Sequence, residues 1–387
     1  MRSVPPHQFD HHPEVTVATD VREALRRCLA GNLTFVAFRA PPGPIRVWVQ
    51  DDPVPISVQV TALGEASQGF VIAPFFSLEG HAQLIRPDVE LVFASTSSTQ
   101  DVSRLDACTG SEQWTFAVPS SLDKDGYKQA IAEAKKTFGT GELKKVVLAR
   151  TVEIALDPDR LADLFLSANA TYPEAFIALV HTSLHGTWIG ASPERLVLVE
   201  RGRVSIDALA GTMPADHAPT DAQQWGAKER GEQELVTLAI VRKLEQLGSR
   251  NIVATGPMVK KAGQLAHLHT AITADVGGTL PGALASALHP TPAVCGEPMD
   301  EALQFIREQE PQPRALYTGF WGPCGVGGRA EFFVNIRCMQ VFEDRALLHV
   351  GAGITSGSDP EREWEETEWK AGTWLQLIGA LPTSRIS

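Results

Sequence analysis

Short apolar runs broken by proline and glycine, mixed with long amphipathic helices but never in regular strand–helix alternation, set the tightest limit on how this chain can fold. Phe35-Val36-Ala37-Phe38, Val47-Trp48-Val49 and Leu91-Val92-Phe93-Ala94 read as strands, and Pro41-Pro42-Gly43-Pro44 and Asp51-Asp52-Pro53 read as turns between them. Residues 95–100 and 110–113 read as loops, with a soft boundary near residue 115. Beyond it, Tyr127, Ile131, Ala134 and Phe138 recur at helical spacing and Gly139 follows as a stop. Residues 145–156, 175–181, 196–199 and 203–208 read as strands, 232–247 as a helix closed by Gly248, and 330–341 with 346–350 as a hairpin around Glu343-Asp344. The last helix has the clearest start: Ser358 or Asp359 can cap it, Pro360 suits its first position, and Glu361 and Glu363 suit the dipole of its first turn. This mixture predicts an α+β fold rather than a doubly wound sheet.

The chain has 387 residues, enough to bury a large core without disulfide or metal staples. Its formal charge of -12 disfavours nonspecific binding to nucleic acid or to an anionic membrane. An anionic small molecule stays compatible with that charge, because a few placed cations or a metal reverse the field locally. The five cysteines, Cys28, Cys108, Cys295, Cys324 and Cys338, include no CxxC pair and suit a reducing cytosol. Neither a signal-peptide apolar stretch at the N-terminus nor 18 consecutive apolar residues anywhere is present, so the expectation is a cytoplasmic protein with no membrane or nucleic-acid partner.

Several groups of residues have the types and spacing that chemistry needs. Glu363, Glu366 and Lys370, at i, i+3 and i+7, share one face of the last helix, while Trp364, Thr367, Ala371, Trp374 and Ile378 form the stripe that should meet the core. Two carboxylates one turn apart suit Mg2+, and they equally suit a solvated acidic face. Glu232, in the run 228–234, reads as a metal-ligand candidate or as a solvated helix start. Lys145 opens the apolar strand Val146-Val147-Leu148-Ala149, where low-dielectric surroundings favour a neutral amine that can act as a base. The alternative is a strand-end lysine that snorkels beside Lys144. Glu194, in Gly190-Ala191-Ser192-Pro193-Glu194-Arg195, reads as a general acid at a turn or as a turn residue paired with Arg195. Residues 351–357 read as a flexible glycine loop, whose amides can hold an anion, leading into the last helix. Gly322, Gly325, Gly327 and Gly328 read as a structural turn. His267 and His269 read as packing or hydrogen-bonding residues, with His289, before Pro290, the better pocket candidate.

Taken in order, these blocks resemble the chorismate-utilising enzymes, which include anthranilate, aminodeoxychorismate, isochorismate and salicylate synthases. The resemblance covers about residues 120–380. It rests on residues 145–150 (KVVLAR), 190–194 (GASPE), 209–212 (LAGT), 288–294 (LHPTPAV), 317–319 (YTG), 335–338 (NIRC), 351–354 (GAGI), and 358–370, which contains Glu363, Glu366 and Lys370. It implies one α+β unit with a large, mostly antiparallel sheet core and helices outside. In it, residues 1–115 form a β-rich part of the scaffold and 116–387 the chorismate-binding catalytic region.

Lys145 stands where ammonia-using members carry Gln, and so is similar to the water-using isochorismate and salicylate synthases. Ala210 stands where aminodeoxychorismate synthases carry a nucleophilic lysine, and Leu209 matches the apolar residue of isochorismate synthases. The resemblance therefore implies an isomerase in which Lys145 is the base and Glu194 the acid, with Mg2+ held by Glu232, Glu366 and Glu363. Arg337 and Lys370 would neutralise the substrate carboxylates, assisted by amides near Gly211 and Gly353. Thr212, His289, Thr291, Tyr317 and Gly351 would contribute to substrate binding. The expected protein is a monomer with chorismate as substrate and no glutamine amidotransferase subunit. One departure is visible: the family's Glu-His pair here reads Glu232-Gln233.

Overall fold

A computed structural model describes residues 13–64, 67–77, 80–94, 100–112 and 116–380. The expected α+β fold takes the form of two nine-stranded sheets with antiparallel pairing throughout the described residues. The first sheet runs, edge to edge, Gly296–Glu297, Lys145–Ala155, Arg345–Thr355, Cys338–Val341, Gly186–Ser192, Phe176–Thr182, Phe35–Arg39, Ile45–Val49 and Val89–Phe93. The second runs Arg250–Ala262, Leu265–Asp275, Arg203–Pro214, Arg195–Glu200, Arg329–Val334, Phe320–Val326, Gly69–Ala73, His81–Ile85 and Ile56–Gln59. Each sheet draws three strands from the first hundred residues, so the N-terminal part is woven into both. The loop expectation over 95–99 and at residue 113, and the boundary near 115, fall on residues outside the described ones.

Large apolar side chains face one another between the sheets. Phe38, Trp48, Phe176 and Trp188 of the first sheet join Phe70, Ile72, Trp321 and Phe333 of the second in one core. Phe176 and Phe333 stack at 4.1 Å between ring centroids, a pairing that contributes about 0.5–1.5 kcal/mol beyond the area it buries. Helices Pro13–Ala30, Leu161–Thr171 and Pro360–Ala380 cover the outer face of the first sheet. Ala227–Gln246 and Pro281–Leu288 cover that of the second. Among the described residues, no helix is long and apolar enough to cross a membrane.

Local chemistry explains the element ends. Asp123 caps Lys124–Thr140 by accepting from the Gly126 amide at 2.8 Å, and Gly141, at φ 80°, ends that helix in the left-handed conformation that glycine adopts without strain. Asp359 is the cap of the last helix, accepting from the Glu361 and Arg362 amides, while the Ser358 hydroxyl turns back to the Thr355 amide.

Several expectations need correction. Gly139 lies inside the helix Lys124–Thr140 and does not stop it. Gly322 and Gly325 belong to the strand Phe320–Val326, and only Gly327 and Gly328 form the turn after it. Residues 330–341 are two strands in different sheets: the chain leaves one sheet at Val334 and joins the other at Cys338, and Arg337 at the crossing has φ 50°. Residues 351–355 are strand, paired with 145–149, because Gly351 and Gly353 permit close approach without breaking the ladder. The helix bearing Glu232 begins at Ala227, since Ala-Lys-Glu-Arg is a good helical run, so Glu232 projects from its second turn. The helix Pro13–Ala30 has no counterpart in the sequence reading.

Candidate active site

A cavity between the sheets collects residues that lie far apart in sequence. Its wall includes Glu194, Leu209, Ala210, Gly211, Thr212, Glu232, His267, Tyr317, Arg337, His349, Gly351, Gly353, Glu366 and Lys370. Lys145, fully buried at the start of its strand, reaches that wall from behind, its Nζ 2.9 Å from Glu232 Oε1. Gly353, which pairs with Val147 in the neighbouring strand, makes this meeting possible. A Cβ there would lie 2.2 Å from Glu232 Oε1 and 3.1 Å from Lys145 Cε. Any side chain at 353 would therefore push the lysine and glutamate apart.

Glu194 is 2% exposed, on the short turn between strands Gly186–Ser192 and Arg195–Glu200. Burial, reinforced by nearby Asp207, pushes its carboxyl up to about 8 against the opposing pull of Lys145, Lys260 and Lys370. Glu194 is thus a proton donor at neutral pH. Burial likewise pushes Glu232 up, but Lys145 and Lys228 outweigh it and hold that carboxyl low and ionised.

Two cationic side chains, Arg337 and Lys370, also line the cavity. Burial draws the Arg337 guanidinium down to about 10, still charged, and it bonds His267 Nε2 at 3.1 Å and Thr373 Oγ1 at 3.2 Å. Arginine only donates, so His267 Nε2 accepts and the ring proton sits on Nδ1, within 3.2 Å of the Gly211 carbonyl. Burial and Arg337 together hold that imidazole neutral. His267 therefore ties the strand irregularity at Gly211, where φ is 68°, to the arginine. Lys370 donates to Glu366 Oε1 at 2.7 Å and to the Gly351 carbonyl at 2.8 Å.

Glu363 lies just outside this lining, 2% exposed, with Oε1 on Lys228 Nζ at 2.6 Å and Oε2 buried without a partner. Burial and the charge of Glu366 raise Glu363 to about 7. Lys228 is held above its ordinary value by Glu366, Glu232 and Glu363 despite its own burial. Among the described residues no three Asp, Glu, His or Cys side chains already converge on one metal position; each of these carboxylates instead has a lysine beside it. The set fits Mg2+ in kind: three hard carboxylates gather in one region, and the orphaned Glu363 Oε2 has an unused lone pair.

The structure thus brings most of the sequence-derived candidates together and leaves two apart. His289 packs between Phe75 and Phe320, with Nε2 3.3 Å from the Phe75 carbonyl, and does not line the cavity. Thr291 is buried beside that turn, also off the cavity wall, with its hydroxyl unpartnered. The better pocket histidines are His267 and His349; the latter is held between Trp188 and Tyr317 and kept neutral, at about 3, by burial. Nothing local in the sequence marks them, because strand alternation alone does not say which sheet face meets a cavity. Lys228 was hidden in a charged helical run. Gln233, the departure from the family pair, is well used: its amide accepts from the Ala210 N–H at 2.8 Å and donates to the Ala208 carbonyl and Thr270 hydroxyl, both at 3.0 Å. It pins the strand segment that forms the cavity floor.

Comparison with known proteins gives a consistent picture. Residues 83–379 match the family described as chorismate binding enzyme. The chain is similar to the isochorismate synthase DhbC of Bacillus subtilis, 32% identical over 280 residues that cover 68% of this chain and 70% of that protein. It is also similar to the isochorismate synthase EntC of Escherichia coli K12, 34% identical over 266 residues, 65% of this chain and 67% of that one. The fold matches the solved structure of MenF, the menaquinone-specific isochorismate synthase of Escherichia coli, with a TM-score of 0.72 at 22% identity, covering 96% of this chain and 92% of that one.

Proposed function

The chain belongs to the chorismate-binding enzyme family, and from that premise we propose that it is an isomerase converting chorismate to isochorismate for menaquinone or siderophore biosynthesis. The observation that carries this reading is the placing of two buried groups at one cavity: Lys145, whose Nζ lies 2.9 Å from Glu232 Oε1, and Glu194 on the cavity wall, whose carboxyl is pushed up to about 8 by burial and Asp207. Moving a hydroxyl along a ring needs both, one to take a proton from the incoming water and one to protonate the departing oxygen.

In this mechanism Arg337 and Lys370 receive the two carboxylates of chorismate, which explains how a protein of net charge -12 binds a dianion. Lys145 first gives up its ammonium proton to solvent, and the free amine then accepts a proton from water as that oxygen bonds to C2. The ring double bonds shift, the C4–oxygen bond breaks, and Glu194 gives its proton to the leaving hydroxyl. Lys145 finishes with one proton more and Glu194 with one fewer, and exchange with solvent restores both. Ala210, small and without an amine, leaves room for water as the attacking group. Glu232 and Glu366, with Glu363, would hold Mg2+, which supplies positive charge for the ring carboxylate when bound.

The test is to incubate purified protein with chorismate and Mg2+, separate isochorismate by chromatography and follow salicylate by fluorescence. Isochorismate as the product supports the reading. Accumulating salicylate with pyruvate would make the protein a salicylate synthase, and unchanged chorismate would leave it a binding homologue without this activity.

A further inference from the structure

The backbone that carries Glu194 is held at every neighbouring peptide. Ser192 Oγ accepts from the Glu194 N–H at 3.2 Å and donates to the Val334 carbonyl at 2.6 Å. The Val334 N–H donates to the Glu194 carbonyl at 3.1 Å. On one side of the glutamate, Lys260 Nζ donates to the Pro193 carbonyl at 3.1 Å; on the other, the Arg195 N–H donates to Asp207 Oδ2 at 3.2 Å. Lys260 and Asp207 are themselves 3.8 Å apart, and Asp207 Oδ1 bonds His269 Nε2 at 2.8 Å. Arg195 turns its guanidinium away, to Glu331 at 3.0 Å. Neither Asp207 nor Lys260 lines the cavity, and the mechanism above uses neither.

We infer that Asp207 and Lys260 are positioning residues for the general acid: they clamp the peptides flanking Glu194 and set opposite charges behind its carboxyl. The inference rests on the reading of Glu194 as the acid. A backbone clamp alone would need only neutral polar groups. Two opposite charges at the same place do more, because each biases whether the carboxyl keeps its proton. The charged groups with the largest effect on Glu194 are Asp207 from Arg203–Pro214, Lys145 from strand Lys145–Ala155, Lys260 from Arg250–Ala262 and Lys370 from the last helix, and Glu232, Arg337 and Glu366 also line its cavity. After burial, Asp207 is the largest influence that keeps Glu194 protonated, and Lys260 works against it. Asp207 can play this part because it stays ionised: burial pushes it up, but the His269 bond, Lys260 and Arg195 outweigh that and hold it low.

The experiment uses Asp207→Asn and Lys260→Gln, each of which keeps a hydrogen-bonding group at its position and loses its charge. Two readouts apply to the full-length protein. One is the alkaline limb of the pH profile of kcat/KM for chorismate. The other is the titration of the Glu194 carboxyl by 13C NMR, with its signal assigned through Glu194→Gln. Asp207→Asn should move both midpoints down by about one pH unit, and Lys260→Gln should move both up. Midpoints that stay in place in both variants, or that move in the same direction in both, overturn the inference, since simple loosening of the turn has no reason to give opposite signs. Lys260→Gln tests the same arrangement should Asp207→Asn fail to fold. The NMR titration needs no turnover. A wild-type protein inactive on chorismate would therefore sink the proposed reaction while the placement of the two charges is still decided.

Discussion

Replacing Arg314 should destabilise the protein more than removing any exposed ion pair, and the structure shows why. The strand that begins with Lys145 has a strand neighbour on its outer edge only at residues 145 and 146, where Gly296–Glu297 pairs with it. The Val147 N–H still donates to the Cys295 carbonyl at 2.6 Å, and beyond it side chains replace the missing strand. Arg314 Nη2 donates to the Val147 carbonyl at 2.6 Å, Glu310 Oε1 accepts from the Ala149 N–H at 2.8 Å, and Gln312 Nε2 donates to the Ala149 carbonyl at 2.8 Å. Arg314 also grips Glu310 at 2.5 and 2.8 Å and the Val294 carbonyl at 2.8 Å, and the two charged side chains are only 1% and 2% exposed. Arg314→Met leaves the Glu310 carboxylate buried without its cation, at a cost of about 3–5 kcal/mol. Making Glu310→Gln in the same protein removes the stranded charge and keeps an acceptor for Ala149, so the double variant should lie only ~1–2 kcal/mol below wild type. Urea unfolding followed by circular dichroism at pH 7, with midpoints converted through a shared slope, measures both. A single variant within about 1 kcal/mol of wild type, or a double variant less stable than the single, would refute this account of the edge.

Three further outcomes follow from named groups. Lys145→Ala should lower kcat at least ~100-fold with an unchanged circular dichroism spectrum, and a fully active variant would remove Lys145 as the base. Because Glu194 must be protonated to act and loses its proton at about 8, kcat/KM should fall as pH rises through that value, and Glu194→Gln should be nearly inactive at every pH. His289 is held down at about 4 by burial, below the 6.5 of an exposed imidazole. Between those values the unfolded chain takes up a proton that the fold refuses. The stability tied to this ring is therefore present above pH 6.5 and drains as pH falls towards 4. His289→Phe should accordingly lose less stability between pH 7 and pH 5 than wild type, by about 2 kcal/mol in urea midpoints; equal losses would contradict the assignment.

The parts of the site that were legible in the sequence are those where one element carries its own signal. Asp359 and Pro360 marked the start of a helix, and the 363–366–370 spacing marked a shared face that the sequence left open as a metal site or a solvated surface; that face is buried, with Glu363 and Glu366 2% and 8% exposed. The apolar run after Lys145 likewise marked a strand and its first residue. What stayed hidden depends on two sheets meeting. Residues 330–341 look like one strand because both halves are apolar, and only the positive φ at Arg337 and the switch of sheet separate them. His289, before Pro290, reads as the better pocket candidate, yet strand pairing of residues 203–214 with 265–275 carries His267 to the cavity, and aromatic packing takes His289 away. Asp207 and Lys260 gain meaning only because three consecutive strands bring them to the same turn. Gln233 shows the reverse case, where the residue that broke the family pattern has each of its amide groups matched to the strand beneath it.

The most direct measurement is isotopic. Run in water enriched in 18O, the reaction should give isochorismate with one heavy oxygen, at C2, while the oxygen lost from C4 appears in the solvent. Unlabelled isochorismate would mean that the hydroxyl migrates without entry of water, and the roles given to Lys145 and Glu194 would fall together.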